Sequence, residues 1–211
     1  MQYLYLHGFA SSPQSKKARD LHDRFHQIGR SLQVLDLNQN DFTHLTLTRQ
    51  IQQVLSALPP APQPVTLIGS SLGGLTATWA AQQAPQIVCL VLLAPAFGFL
   101  AHWLPRLGEA QLQQWQETGV LSVYHHGEAT MQPLSYQFVT DAQTYKDDRL
   151  QRSLPTLILH GIHDDVIPIA ASQAYASRHP EVNVIELDSD HALTNVSDSI
   201  WQAIQEFCQL A

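Results

Sequence analysis

Charged side chains are scarce in this sequence. They make up 14% of its 211 residues, with 11 Lys and Arg against 18 Asp and Glu, for a formal net charge of −7. The densest basic stretch is Lys16-Lys17-Ala18-Arg19. That is too short for the electrostatic footprint of a nucleic-acid binder, so no nucleic-acid partner is expected. Cysteine is nearly absent: Cys89 and Cys208 lie far apart in apolar stretches. This excludes a disulfide framework and reads as buried free thiols of a reducing compartment. The longest apolar run, Ile87 to Ala96, is broken at Pro95, well short of the ~18 residues a membrane span needs. No basic segment followed by an apolar core opens the chain, so no signal peptide is expected. There is no H-E-x-x-H, no internal repeat and no low-complexity tract. His160, His163, Asp164 and Asp165 have the chemistry of metal ligands but no defined ligand spacing, so neither a metal nor a cofactor is expected. These absences leave a cytoplasmic globular protein. With 45% hydrophobic residues, it has the composition of one domain, or one domain with an insertion.

What is present is organised around Val65 to Trp79. Val65 to Ile68 is a short apolar run with the character of a buried strand. Gly69-Ser70-Ser71-Leu72-Gly73 follows and fits G-x-S-x-G with Ser71 at its centre. A breaker-free run of helix formers then reaches to just before Pro85. Strand, tight turn and helix are the context in which this motif is a nucleophile elbow. The turn lifts the serine hydroxyl clear of the sheet, and the helix behind it aims N–H groups and a positive dipole end at any anion formed there.

The rest of the chain alternates. Strands are predicted at Tyr3–Leu6, Leu32–Leu37, Val65–Ile68, Ile87–Leu93, Leu157–Leu159 and Val182–Leu187. Helices are predicted at about Lys16–Gln27, Leu47–Leu58, from the elbow to about Ala84, Ala170–Arg178 and Ser197–Gln209. Strands that are apolar throughout, separated by helices, imply a parallel sheet covered on both faces. The expected fold is therefore α/β, a doubly wound, mostly parallel six-stranded sheet spanning 1–211 as a single domain. Residues 97–150 interrupt the alternation and are too long for one crossover helix. Rich in aromatics and broken at Pro105, Gly108, Gly119 and Gly127, they read as two or three helices folded over the sheet edge as a helical insertion resembling a lid.

A serine hydroxyl needs a base, and the base needs an orienting group. In such sheets function gathers at the carboxyl ends of strands. After the fifth strand come Asp164 and its neighbour and competitor Asp165; after the sixth comes His191. The order Ser, Asp, His fits this architecture. Asp164 is the preferred acid and His191 the base. Oxyanion donors are expected from the backbone N–H of Leu72, after the nucleophile, and of Phe9, in the His7-Gly8-Phe9 loop after the first strand.

These residues resemble those of the α/β-hydrolases, and within them the small YqiA/YcfP-type esterase family. The resemblance is carried by Tyr5-Leu-His-Gly-Phe-Ala-Ser-Ser-Pro-Gln-Ser15, Gly69-Ser-Ser-Leu-Gly-Gly74 with Ala77-Thr-Trp79, Pro95-Ala96, Asp164 and Asp190-His-Ala192. It implies a minimal α/β-hydrolase fold, a Ser71–Asp164–His191 triad and a Phe9/Leu72 oxyanion hole. The leading expectation is a serine hydrolase cleaving a carboxylic ester or thioester, with a small-molecule substrate. Acyl transfer on the same scaffold and a catalytically silent binding module are the alternatives.

Overall fold

The computed structural model describes residues 1–210; Ala211, the last residue of the expected domain, lies outside the described residues. Six strands form one sheet: β1 (Gln2–Leu6), β2 (Leu32–Leu35), β3 (Val65–Ser70), β4 (Ile87–Leu93), β7 (Thr156–Gly161) and β8 (Val182–Leu187). Their spatial order is β2-β1-β3-β4-β7-β8, and every pairing is parallel. The second strand ends at Leu35, two residues before its predicted limit. Leu37 is buried beyond it as part of the following loop.

Alternation along the strands divides the core. Leu4, Leu6, Leu67, Leu90 and Leu92 face one layer, with Ile51 and Val54 of α2 (Leu47–Ala57) and Ala77 and Ala80 of α3 (Leu72–Gln83). Tyr3, Tyr5, Val91, Leu93, Leu157 and Leu159 face the other. There they meet Leu21 and Phe25 of α1 (Lys16–Gln27) and Ile200 and Ile204 of α8 (Ser197–Cys208). α7 (Ile169–Ala176) adds Tyr175 to the first layer. Side-chain caps start two of these helices: Ser15 caps α1 at the Ala18 N–H, and Thr46 caps α2 at the Arg49 N–H. Cys89 and Cys208 are free and half-buried. The fold closes their separation in sequence, and contact with Cys89 pushes the Cys208 thiol up.

The segment between β4 and β7 differs from its expectation. It contains α4 (Phe99–Leu107), α5 (Glu109–Thr118) and α6 (Gln137–Ala142), but also an antiparallel hairpin of β5 (Val120–His125) and β6 (Thr130–Ser135). The purely helical reading fails because Val120–His125 alternates: Leu121 and His125 turn inward while Val120, Ser122 and Tyr124 face out. The indole of Trp115 on α5 donates to the Leu134 carbonyl and joins helix to hairpin. The start and end of the segment are also tied, since the Gly98 N–H donates to the Asp147 carboxylate at 2.6 Å.

β1 leads outward to β2 on one side, while β3 lies on its other side. Strand order therefore reverses between β1 and β3, and a crevice opens at their carboxyl ends. The loops that flank this crevice are the ones that follow Leu6 and Ser70.

Candidate active site

Ser71 stands between β3 and α3 with φ 53° and ψ −119°, a backbone conformation that costs a non-glycine residue about 1–3 kcal/mol. The turn is held by the Ser71 N–H donating to Leu93 O at 2.9 Å and by Ser71 O accepting from Ala96 N at 3.1 Å. Leu72 is the first residue of α3, so its N–H is among those a helix start leaves unpaired.

His191 sits in the loop after β8. Its Nε2 lies 3.0 Å from Ser71 Oγ, and its Nδ1 lies 2.7 Å from Asp164 Oδ2. The loop reaches this position because it crosses Gly161 closely: a Cβ there would stand 2.6 Å from Asp190 O. The Asp190 carboxylate accepts from the Ala192 and Leu193 N–H groups and shapes the turn around His191.

The Asp164 side chain is fully buried. Its Oδ1 accepts from the Val166 and Ile167 N–H groups, both at 2.8 Å. Its Oδ2 receives His191 and stands 3.1 Å from Nε2 of His160. Burial pushes this carboxyl up, but the contacts from His160, His191 and the Ile167 N–H outweigh it and hold it well below the usual carboxylate range. Asp165 is exposed, and His163 turns outward to Asp188 at 3.0 Å. The four residues with ligand chemistry therefore do not converge. Lys17 of α1 is partly buried and within the electrostatic reach of the site. Burial lowers its ammonium to about 8 despite the attraction of Asp164 and Asp190.

The loop after β1 is set by His7, whose orienting contacts were not evident in the sequence. His7 Nε2 accepts from the Leu37 N–H at 3.0 Å. The neutral ring therefore carries its proton on Nδ1, which donates to Gly8 O at 2.9 Å. In a trans peptide the C=O and N–H point oppositely, so holding Gly8 O turns the Phe9 N–H away from the imidazole. Gly8 lies against Ser71: a Cβ on it would meet Ser71 Cβ at 3.2 Å. Among the described residues the Phe9 N–H has no acceptor. The Phe9 ring packs on Phe42, Trp103 and Phe138 with centroids 5.6, 5.1 and 5.4 Å away.

A cleft of about 770 Å³ opens beside the elbow, walled by Leu72, Leu75, Phe99, Leu104, Leu112 and Tyr145. Ser71 is not on its wall; the cleft reaches the elbow at Leu72.

The family model described as an uncharacterised protein family, UPF0227, matches residues 2–208. The chain belongs to the UPF0227 family. This UPF0227 protein is 25% identical over 210 residues to rat palmitoyl-protein thioesterase ABHD10, mitochondrial, covering 92% of this chain and 70% of that protein. Among solved structures it resembles mouse α/β hydrolase domain-containing protein 10, with a TM-score of 0.79 and 23% identity over 100% of this chain and 90% of that one. It also resembles Est1E of Butyrivibrio proteoclasticus, solved with ferulic acid bound, with a TM-score of 0.80 and 20% identity over 99% and 88% of the two chains. The structural likenesses show that the chain has the α/β-hydrolase fold. No helix among the described residues is long and apolar enough to cross a membrane.

Proposed function

We propose that this protein is a serine hydrolase that cleaves a carboxylic ester or thioester through an acyl-enzyme on Ser71. The observation that carries this reading is the position of His191, with one ring nitrogen 3.0 Å from Ser71 Oγ and the other 2.7 Å from Asp164 Oδ2. The Asp164 carboxylate accepts the Nδ1 proton and so leaves Nε2 as the free base. Nε2 takes the Ser71 proton as Oγ attacks the carbonyl carbon. The tetrahedral oxyanion is received by the N–H groups of Phe9 and Leu72. The imidazolium returns its proton to the departing alkoxide or thiolate. Water, activated by the same nitrogen, then releases the acid and restores Ser71. Activity falls on acidification, because an imidazolium cannot accept the Ser71 proton.

The substrate in this reading is a small-molecule ester or thioester with an apolar acyl group. The cleft beside Leu72 has the size and the apolar lining that suit one, and the ABHD10 relative is named as a palmitoyl-protein thioesterase. Residues 97–150 act as the cover of that cleft within a single hydrolase domain. A reducing, cytoplasmic setting is part of the proposal and is supported by the two free cysteines.

Intact mass after incubation with a fluorophosphonate tests the reading. A single adduct on wild type and none on Ser71→Ala is the expected result. A folded wild type that takes no adduct overturns it.

A further inference from the structure

The Asp164 carboxylate meets two imidazoles, and the proposed mechanism uses one. The second belongs to His160, on β7 and four residues before Asp164, with its side chain wholly buried. His160 Nε2 lies 3.1 Å from Asp164 Oδ2 and 2.9 Å from the Ile167 carbonyl oxygen. Both neighbours are acceptors with no proton to give, so Nε2 carries the hydrogen. In the neutral ring Nδ1 is then an acceptor. The Ser172 hydroxyl, buried on α7, lies 2.8 Å from Nδ1 and donates to it. A continuous side-chain path thus runs Ser172, His160, Asp164, His191, Ser71.

We propose that His160 is a positioning residue of the hydrolytic site: a neutral imidazole, oriented by Ser172 and the Ile167 carbonyl, whose polarised N–H edge stands against the Asp164 carboxylate at the oxygen that His191 uses. The inference rests on the reading of Ser71, His191 and Asp164 as the reacting set. It goes beyond that reading, because a Ser–His–Asp set is complete without His160.

Two features separate this role from that of a space-filling core histidine. Burying a polar ring without need is unfavourable, and an apolar residue would fill the gap between β7 and α7 without that penalty. The ring is also held at both nitrogens: Nε2–H donates to the Ile167 carbonyl at 2.9 Å, and the same polarised N–H edge stands 3.1 Å from Asp164 Oδ2.

The role carries a sign. The charge on Oδ2 stabilises the His191 imidazolium. A second N–H dipole against the same oxygen offsets part of that charge and weakens this stabilisation. Removing the donor moves the acid limb of the pH–rate profile upward. The other charges facing this group are Asp190 on the His191 loop and Lys17, reaching in from α1 toward Asp164 and Asp190. They are unchanged in the variants, so a shift between variants reports His160.

The test needs no knowledge of the natural substrate. The rate of fluorophosphonate labelling at Ser71 is measured against pH for wild type, His160→Phe, His160→Gln and Ser172→Ala. His160→Phe is expected to label about 10- to 100-fold more slowly, well short of the ~10⁴ seen when an orienting carboxylate loses its charge. Its acid limb moves up by about half a pH unit. His160→Gln keeps an N–H donor and recovers part of both effects. Ser172→Ala shifts the limb the same way by less, and it carries the test if His160→Phe does not fold. Labelled wild type with an unmoved acid limb in the folded variants overturns the inference and leaves the hydrolase reading standing. Unlabelled wild type overturns both, and it is seen before any variant is made.

Discussion

Gly73, in the first turn of α3, lies directly against the backbone of Leu6 at the end of β1. A Cβ at Gly73 would stand 2.6 Å from the Leu6 carbonyl carbon and 2.5 Å from His7 O. The neighbour is main chain and cannot rotate away. Gly73→Ala is therefore expected to destabilise the protein by about 3 kcal/mol or more and to slow Ser71 labelling together with it. Urea unfolding and fluorophosphonate labelling on the same preparation measure both.

Asp164 and Asp165 are adjacent in sequence and opposite in environment, one buried and accepting three hydrogen bonds and one exposed. Asp164→Asn is expected to lower kcat on the order of 10³- to 10⁴-fold with the fold retained, because the amide no longer selects the His191 tautomer. Asp165→Asn is expected to stay within about 2-fold, as an exposed surface change. Hydrolysis of a simple aryl ester by the two variants decides between the carboxylates.

His7 governs the direction of one peptide. Its Nδ1–H holds Gly8 O, and Leu37 fixes the tautomer. His7→Ala is expected to reduce kcat roughly 10²-fold with KM little changed, the loss associated with one oxyanion donor. A rise in KM at constant kcat would assign the residue to substrate binding instead.

Lys17 gives the pH dependence of stability its most specific handle. Its ammonium is lowered from 10.5 to about 8. The folded state therefore binds fewer protons than the unfolded state between these values, and stability rises with pH across the window. Below about pH 8 the partly buried charge is a burden on the fold. Relative to Lys17→Met, wild type is expected to gain up to about 3 kcal/mol as pH rises from 8 to 10.5. Denaturant titrations at pH 7, 8.5 and 10 follow the difference.

The elements that set the sheet were legible because each carries its own signal. Ile87–Leu93 is an apolar strand and Val182–Leu187 is rich in β-branched residues, and the observed limits of both match the expectation. Ser71, Asp164 and His191 were legible because a strand-to-helix turn and two strand ends fix where such residues lie. The β5–β6 hairpin is masked in the sequence because Gly119 and Gly127 also suit breaks between helices, and the alternation between them is short. The contacts of His7 and His160 could not be read from sequence at all. Each depends on a partner brought in by the fold, the Leu37 N–H for one and the Ser172 hydroxyl for the other.

The hydrogen bond between Gly98 and Asp147 joins the two feet of the segment between β4 and β7, beside those paired strands. A loop pinned at its base is cheap to lengthen, because doubling the enclosed chain adds only about 0.6 kcal/mol of closure entropy. In the proposed hydrolase, the stretch from Phe99 to Lys146 can therefore change length and pocket shape while the register of β4 on β7 stays fixed.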